Sequence, residues 1–284
     1  MVLLAAGGAP ARAEERQPTE VVVLKRAGVT AYEEVTEEFG ERCRVRARVV
    51  SFGDEGASPA RLRLGRGELL VTIGQEALDA VQGVNVRVIP TLAFHTPPGI
   101  LGPPATPPPE LLFKVLATAR ASIKKVGAVY GVRSEPMVEV ARKQAERLGL
   151  RLMARRVGGG PEAVRVLQEL SSQVDAIWLP GDTDVITTQV FQYALRLQLE
   201  RGLPVAAATR QQVHSGALMA VDFAPRSAGR AAANIANHFL EGKPIGDRED
   251  IELYGGARIT INAQGARRLG IDVHALEKMG AKVE

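Results

Sequence analysis

Asp182 and Asp184 are the residues in this 284-residue chain whose type and spacing most directly suggest chemistry. They follow an apolar run, Ala176–Leu179, that stops at Pro180-Gly181, and a helical pattern starts at Val185. A buried strand whose carboxyl end opens into a polar loop is where open α/β sheets bind ligands. Two carboxylates there can ligate a hard cation, and Asp182-Thr183-Asp184 has the D-x-D spacing with which nucleotide-sugar enzymes hold a metal. The same residue types also serve as plain helix caps.

Other candidates stand at comparable positions. Arg133 and Ser134 lie in a loop before a helix expected to begin at Pro136. Free N–H groups at a helix start attract carboxylate or phosphate, and an Arg beside them can grip a carboxylate with two prongs. The plainer alternative has Ser134 capping the helix and Arg133 in solvent. Thr209 and Arg210 end a later strand and invite the same argument. On the N-terminal side, Arg26, Gly28 and Tyr32 follow the first strand, and Tyr32 either stacks on a ligand ring or packs on its own helix. Gly74 and Gln75 follow the third strand, where Gly lets a ligand approach the backbone.

Several classes are disfavoured. His95, His214, His238 and His274 lack metal-ligand spacing, no G-x-S-x-G occurs, and Gly158-Gly159-Gly160-Pro161 is not followed by G-K-[ST]. The single thiol, Cys43, reads as an inert core or strand residue. The net charge is +4, with no dense basic run interleaved with aromatics, so nucleic acid is not an expected partner. Arg42, Arg44, Arg46 and Arg48 have the period of two of a strand's solvent face. No apolar run approaches the roughly 20 residues of a membrane span. Val2–Ala6 and the A-x-A-like Ala11-Arg12-Ala13 resemble the tail of a secretory signal, with residues 1–16 a truncated signal or a disordered tail. Removal of residues 1–13, whose one charged side chain is Arg12, takes the net charge from +4 to +3.

These residues are positioned by alternating strands and helices, which imply parallel βαβ units. Strands are expected at Glu20–Lys25, Val45–Phe52, Leu69–Gly74 and Arg87–Ala93. A connector with seven prolines in the thirteen residues Pro97–Pro109 follows. The second half repeats the rhythm with strands at Val126–Tyr130, Arg151–Val157, Ala176–Leu179, Pro204–Ala208 and Ala217–Phe223. Its helices are expected at Pro136–Leu148, Pro161–Leu170, Val185–Arg201 and Ser227–Leu240. Strands at Ile251–Tyr254 and Arg258–Asn262 close the list. The proline-rich break and the missing second helix argue for two α/β lobes over one eight-unit barrel.

Six stretches in this order carry a resemblance: LLVTIGQEALDAV, KKVGAVYG, DAIWLPGDTDVI, GLPVAAAT, SGALMAVDFAPRSAGRAAANIANHFLEGKPI and ITINAQGARRLGI. From about Leu69 onward the chain resembles ABC-transporter substrate-binding proteins of the tryptophan/aromatic amino acid type. That resemblance implies a type I periplasmic binding fold with three crossings between two Rossmann-like lobes of parallel sheet. The first lobe would hold residues 17–95 and 224–247, the connector 96–109, and the second lobe 110–223 and 248–284. The crossings would fall near His95–Leu101, after Asp222-Phe223 and near Gly246–Ile251. It also implies that Asp182, with Thr183 where the family has Asn, receives a ligand amine. Asp222 would be a second amine partner or a hinge carboxylate.

The expected protein is therefore a non-enzymatic, monomeric, extracytoplasmic binder of a small polar or amino-acid-like molecule, working with an ABC permease and without cofactor or metal. A sensing module for a membrane signalling partner is the alternative, and a metal-dependent nucleotide-sugar transferase a more distant one. A cytoplasmic repressor is disfavoured because no helix-turn-helix precedes the first strand.

Overall fold

Two separate sheets form, not one closed barrel. The computed structural model describes residues 20–58, 62, 64, 68–243 and 256–284. Val21–Arg26 (β1), Ala47–Phe52 (β2), Leu69–Ile73 (β3) and Arg87–Thr91 (β4) pair in parallel in the order β2-β1-β3-β4. Thr30–Arg42 (α1) and Gln75–Ala80 (α2) follow β1 and β3. Val21, Val22, Val23, Leu69, Leu70 and Val71 are all fully buried. Continuous apolar runs of this kind suit parallel strands covered on both faces.

The second sheet runs β11-β10-β9-β8-β7-β5-β6. Its strands are Lys125–Tyr130 (β5), Arg151–Arg156 (β6), Ala176–Trp178 (β7), Val205–Ala207 (β8), Met219–Phe223 (β9), Ala257–Ile261 (β10) and Ala281–Val283 (β11). Around them lie Pro109–Ala119 (α3), Glu135–Arg147 (α4), Gly160–Leu170 (α5), Thr188–Arg201 (α6) and the short Arg210–His214 (α7). One apolar core fills each face, and Phe113 meets Trp178 edge-on at 5.4 Å and 78°. Every pairing is parallel except β9 with β10, which sets Arg258 opposite Asp222. Three C-terminal elements were not foreseen: Ala263–Arg268 (α9), His274–Lys278 (α10) and β11. The expected strand Ile251–Tyr254 and crossing Gly246–Ile251 lie outside the described residues, as does the N-terminal signal-like segment.

Pro225–Leu240 (α8) leaves the second sheet and packs on the first, its Ala228, Ala232, Ala233, Ile235 and Ala236 sharing a core with Val21, Val23, Val35 and Phe39. Small side chains let α8 approach α1 closely. A Cβ added at Gly229 would stand 2.6 Å from the Val35 carbonyl oxygen. The buried Glu38 carboxylate accepts from Arg42, and from Arg226 and Arg230 of α8 at 3.0 and 3.4 Å. Arg42 foremost holds it below the usual carboxylate range. A buried charge persists only with such pairing.

Two expectations need correction. The helix expected from Val185 begins at Thr188 and is capped by Thr187, whose side chain accepts from Val190 N. Residues 182–187 instead form a tight turn, with Ile186 N donating to the Asp182 carbonyl and Thr187 N to that of Val185. Neither Asp182 nor Asp184 caps α6. The four arginines do not share one strand face either: Arg42 belongs to α1, Arg44 and Arg46 precede β2, and only Arg48 lies within it. Within α1, Arg42 returns to Glu38 one turn back.

Candidate functional site between the lobes

Parallel strands aim their carboxyl ends the same way, so each lobe presents a row of loops, and the two rows face each other. A cavity of about 420 Å³ lies between them. The first lobe contributes the opening turn of α1 (Val29–Tyr32, Glu34), Leu92 and Phe94 after β4, and Ala105 of the connector. The second contributes Ala208–Gln211, His214, Asp222, Phe223, Pro225 and Arg258. Leu92 holds a left-handed backbone with φ 53°, an uncommon conformation for a branched residue. Strained backbone of this kind clusters at ligand sites.

Of the residues singled out in the sequence, Tyr32, Thr209 and Asp222 line this cavity, together with Arg210 and Phe223. The Tyr32 hydroxyl stands where a Cβ on Gly74 would sit, 2.3 Å from that position, and Gly74 itself has φ +91°. Glycine is thus required twice over there. Burial pushes the Tyr32 phenol up. Thr209 caps α7 in a reciprocal box with Gln212. Asp222 takes Nε and Nη2 of Arg258 at 2.8 and 2.9 Å and the Arg210 N–H at 2.7 Å. Chiefly through Asp222, the Arg258 guanidinium binds its proton more tightly than usual. Arg210 and His214 both turn to Glu284, which together with Lys282 hold its carboxyl at about 2.

The remaining candidates lie elsewhere. Arg26 pairs with Asp54 and Glu76 at 2.5 and 2.8 Å. Gly28 makes the turn after β1 with φ +75°. Gln75 clasps the backbone of His95, accepting from its N–H at 2.9 Å and donating to its carbonyl at 3.2 Å. Thr183 is exposed on the turn. Arg133 is not in free solvent: it grips Asp184 through Nε and Nη2 at 2.7 and 2.6 Å, and its Nη1 reaches across to Asp79 of the first lobe at 3.1 Å. Ser134 does not cap α4, since its buried hydroxyl donates to Asp182 Oδ2 at 2.6 Å.

Asp182 is enclosed. Its side chain has 0% exposure, and its oxygens accept from Gly131 N (2.7 Å), Ser134 Oγ (2.6 Å), Asp184 N (3.1 Å) and Val185 N (3.1 Å). Phe94, which lines the cavity, lies against Gly181, where an added Cβ would come within 2.2 Å of the ring, and Asp182 is not among the lining residues. His95 Nε2 is buried without a hydrogen-bond partner, 4.0 Å from Asp182 Oδ1. His95, Asp182 and Asp184 bring possible ligand atoms within 4.8 Å of one another. Both carboxylates are already occupied by donors, so a divalent cation would have to displace Arg133 from Asp184. The donor set fits a hydrogen-bonded latch better than a metal centre.

Sequence reasoning missed Glu34 and Phe94, and treated Arg258 only as a strand terminus. Arg258 enters through the antiparallel register, and Phe94 through the turn at Leu92. Neither has a local sequence signal. Glu34 sits two residues beyond Tyr32, near the N-terminus of α1, and that placement was the available clue.

A family model described as "ABC transporter substrate binding protein" matches residues 112–282, more than half of the chain. The chain belongs to this family. A curated tyrosine-binding protein from Clostridioides difficile is 23% identical over 137 residues, covering 47% of this chain and 39% of that protein. The chain thus spans about two-fifths of that relative's length. Among solved structures, an ABC domain in complex with L-Trp from Streptococcus pneumonia has a TM-score of 0.71 at 19% identity, covering 93% of this chain and 100% of the other. A ligand-free, open substrate-binding protein with adhesive properties from Clostridium difficile has a TM-score of 0.63 at 14% identity, covering 89% and 95%. At these identities the likeness shows the fold, that of the type I periplasmic binding proteins.

Proposed function

We propose that this substrate-binding protein works outside the cytoplasm, takes a small aromatic, amino-acid-like molecule into the interlobe cavity, and delivers the closed form to an ABC permease. The observation that carries this reading is a cavity built from both lobes and walled by Tyr32, Phe94 and Phe223 beside ionised groups. Its volume of about 420 Å³ falls within the range of roughly 300–1,000 Å³ usual for small-molecule sites. A ligand touching both walls binds the closed arrangement better than the open one, and closure follows from that difference. The relatives described as tyrosine-binding and as an L-Trp complex support the ligand class. Both walls come from one chain, which supports a monomer as the working unit.

The test is a thermal-unfolding screen with amino acids, sugars and nucleosides. A ligand at a hundred times its Kd adds about 2.7 kcal/mol of stability. Aromatic amino acids are expected to raise Tm, and sugars and nucleosides to leave it unchanged. A Tm rise confined to sugars or nucleosides, or no rise with any compound, would overturn the reading.

A further inference from the structure

The charged groups of the cavity are matched except for one. Asp222 is taken by Arg258, and Arg210 and His214 turn to Glu284. Glu34, half-buried on α1, lines the same cavity and has no hydrogen bond or ion pair among the described residues. Its charge is felt weakly by Arg258, which is already bound to Asp222. Leu92, Phe94 and Phe223 give the same cavity its apolar surface. A carboxylate in that setting loses hydration when a ligand fills the cavity, and only a cation on the ligand compensates.

We propose that Glu34 is the residue that receives the ligand's ammonium group, in place of the enclosed Asp182, and that it makes an amine obligatory in the ligand. The proposal rests on the reading of the cavity as an aromatic-ligand site. It narrows the ligand class to aromatic amines, with the carboxylate of an amino acid dispensable. Arg258 uses Nε and Nη2 on Asp222, and its remaining Nη1 can meet a carboxylate where one is present. Asp182, with a fully enclosed side chain and no place in the cavity lining, is out of reach of the amine.

The experiment is calorimetric titration of the full chain with L-tryptophan, tryptamine and indole-3-propionate, and with the corresponding tyrosine series. The amino acid and the amine are expected to bind, and the deaminated acid to fail. Glu34→Gln should weaken amine-bearing compounds by about tenfold to a hundredfold, the scale of a lost hydrogen bond to a charged group. Its Tm without ligand should stay unchanged, since no partner is lost, and Glu34→Asp should retain part of the affinity. Unaltered binding of tryptamine or tyramine to Glu34→Gln would overturn the assignment while leaving the aromatic-ligand reading intact. Equal binding of the deaminated acids would overturn it likewise. Failure of every compound to bind the parent chain would instead remove the aromatic-ligand reading, and this inference with it.

Discussion

At the β5–β7 end of the cleft, Asp182, Asp184, Ser134, Arg133 and Asp79 satisfy one another's hydrogen-bonding groups. At the β8–β10 end, Asp222 and Arg258 are matched, while Glu34 faces a cavity. Phe94 touches both, lining the cavity and lying against Gly181. Both ends are built from the same ingredients, carboxylates and arginines at strand termini. Groups that complete one another hold backbone in place; a group left over is what a ligand can complete. Proximity of acidic residues to a strand end therefore does not by itself identify a binding group. The count of donors around each carboxylate does.

The largest test of this contrast is Asp182→Ala. It leaves two backbone N–H donors of the turn, the Gly131 N–H and the Ser134 hydroxyl without their acceptor in a buried site. Unsatisfied buried donors cost about 1–3 kcal/mol each before relaxation, so a total loss of roughly 3–5 kcal/mol is expected in urea unfolding. A loss under about 1 kcal/mol would break the view of this end as a structural unit.

Gly181→Ala is next. Its Cβ would meet the Phe94 ring, forcing that ring to move. Overpacking of this kind costs about 1–3 kcal/mol, and the displaced ring lines the cavity. Ligand affinity measured by calorimetry should fall roughly tenfold, which corresponds to about 1.4 kcal/mol. Unchanged affinity would show that the position of Phe94 does not govern binding.

Asp79→Asn should act more gently. It removes the interlobe half of the Arg133 pair, whose side chains are 34% and 37% exposed. An ion pair this open to solvent contributes about 0.2–1 kcal/mol and is screened by salt. Affinity should fall only a few-fold at low salt, and the difference should vanish at high salt. A larger, salt-independent loss would make the latch a second determinant of binding.

The smallest effects are in pH. Burial foremost lowers the pKa of His95, against opposing pulls from Asp182, Asp184 and Asp79; Arg133 acts with burial. The unfolded chain protonates this ring first, near pH 6.5, so the contribution of His95 is full above about pH 6.5 and declines as pH falls below it. His95→Gln should flatten that slope in Tm measured against pH. Glu284, depressed to about 2 by Arg210, Lys282 and His214, contributes above the ordinary carboxylate range and is lost as pH falls from about 4.5 toward 2. The windows open at different pH, near 6.5 for His95 and near 4.5 for Glu284, so a variant at each position separates the two contributions.

The elements were legible where residue pattern and burial coincide. Val21–Arg26, Leu69–Ile73, Lys125–Tyr130 and Met219–Phe223 each fall within a residue or two of the expected strand, because continuous apolar β-branched stretches need cover on both faces. Pro136 and Gly149 marked the limits of α4 well, since one favours a first turn and the other a left-handed exit. Val185-Ile186 misled, because apolar spacing cannot tell a helix start from a turn that buries the same residues. Of the site, Tyr32, Thr209 and Asp222 were legible as strand-end and loop residues that line the cavity.

By itself, then, the sequence determined two series of βαβ units, their strand ends and the family to which they belong, since those properties depend on periodicity and order along one chain. Only the tertiary structure decided which charges are matched. Arg258 meets Asp222 through an antiparallel register, Arg133 meets Asp79 across the lobes, and Phe94 packs on Gly181. Each of those contacts depends on where distant elements come together. Local pattern carries no record of that distance, and so Glu34 emerges as the unmatched carboxylate of the cavity, among the described residues, only after the pairs around it have been placed.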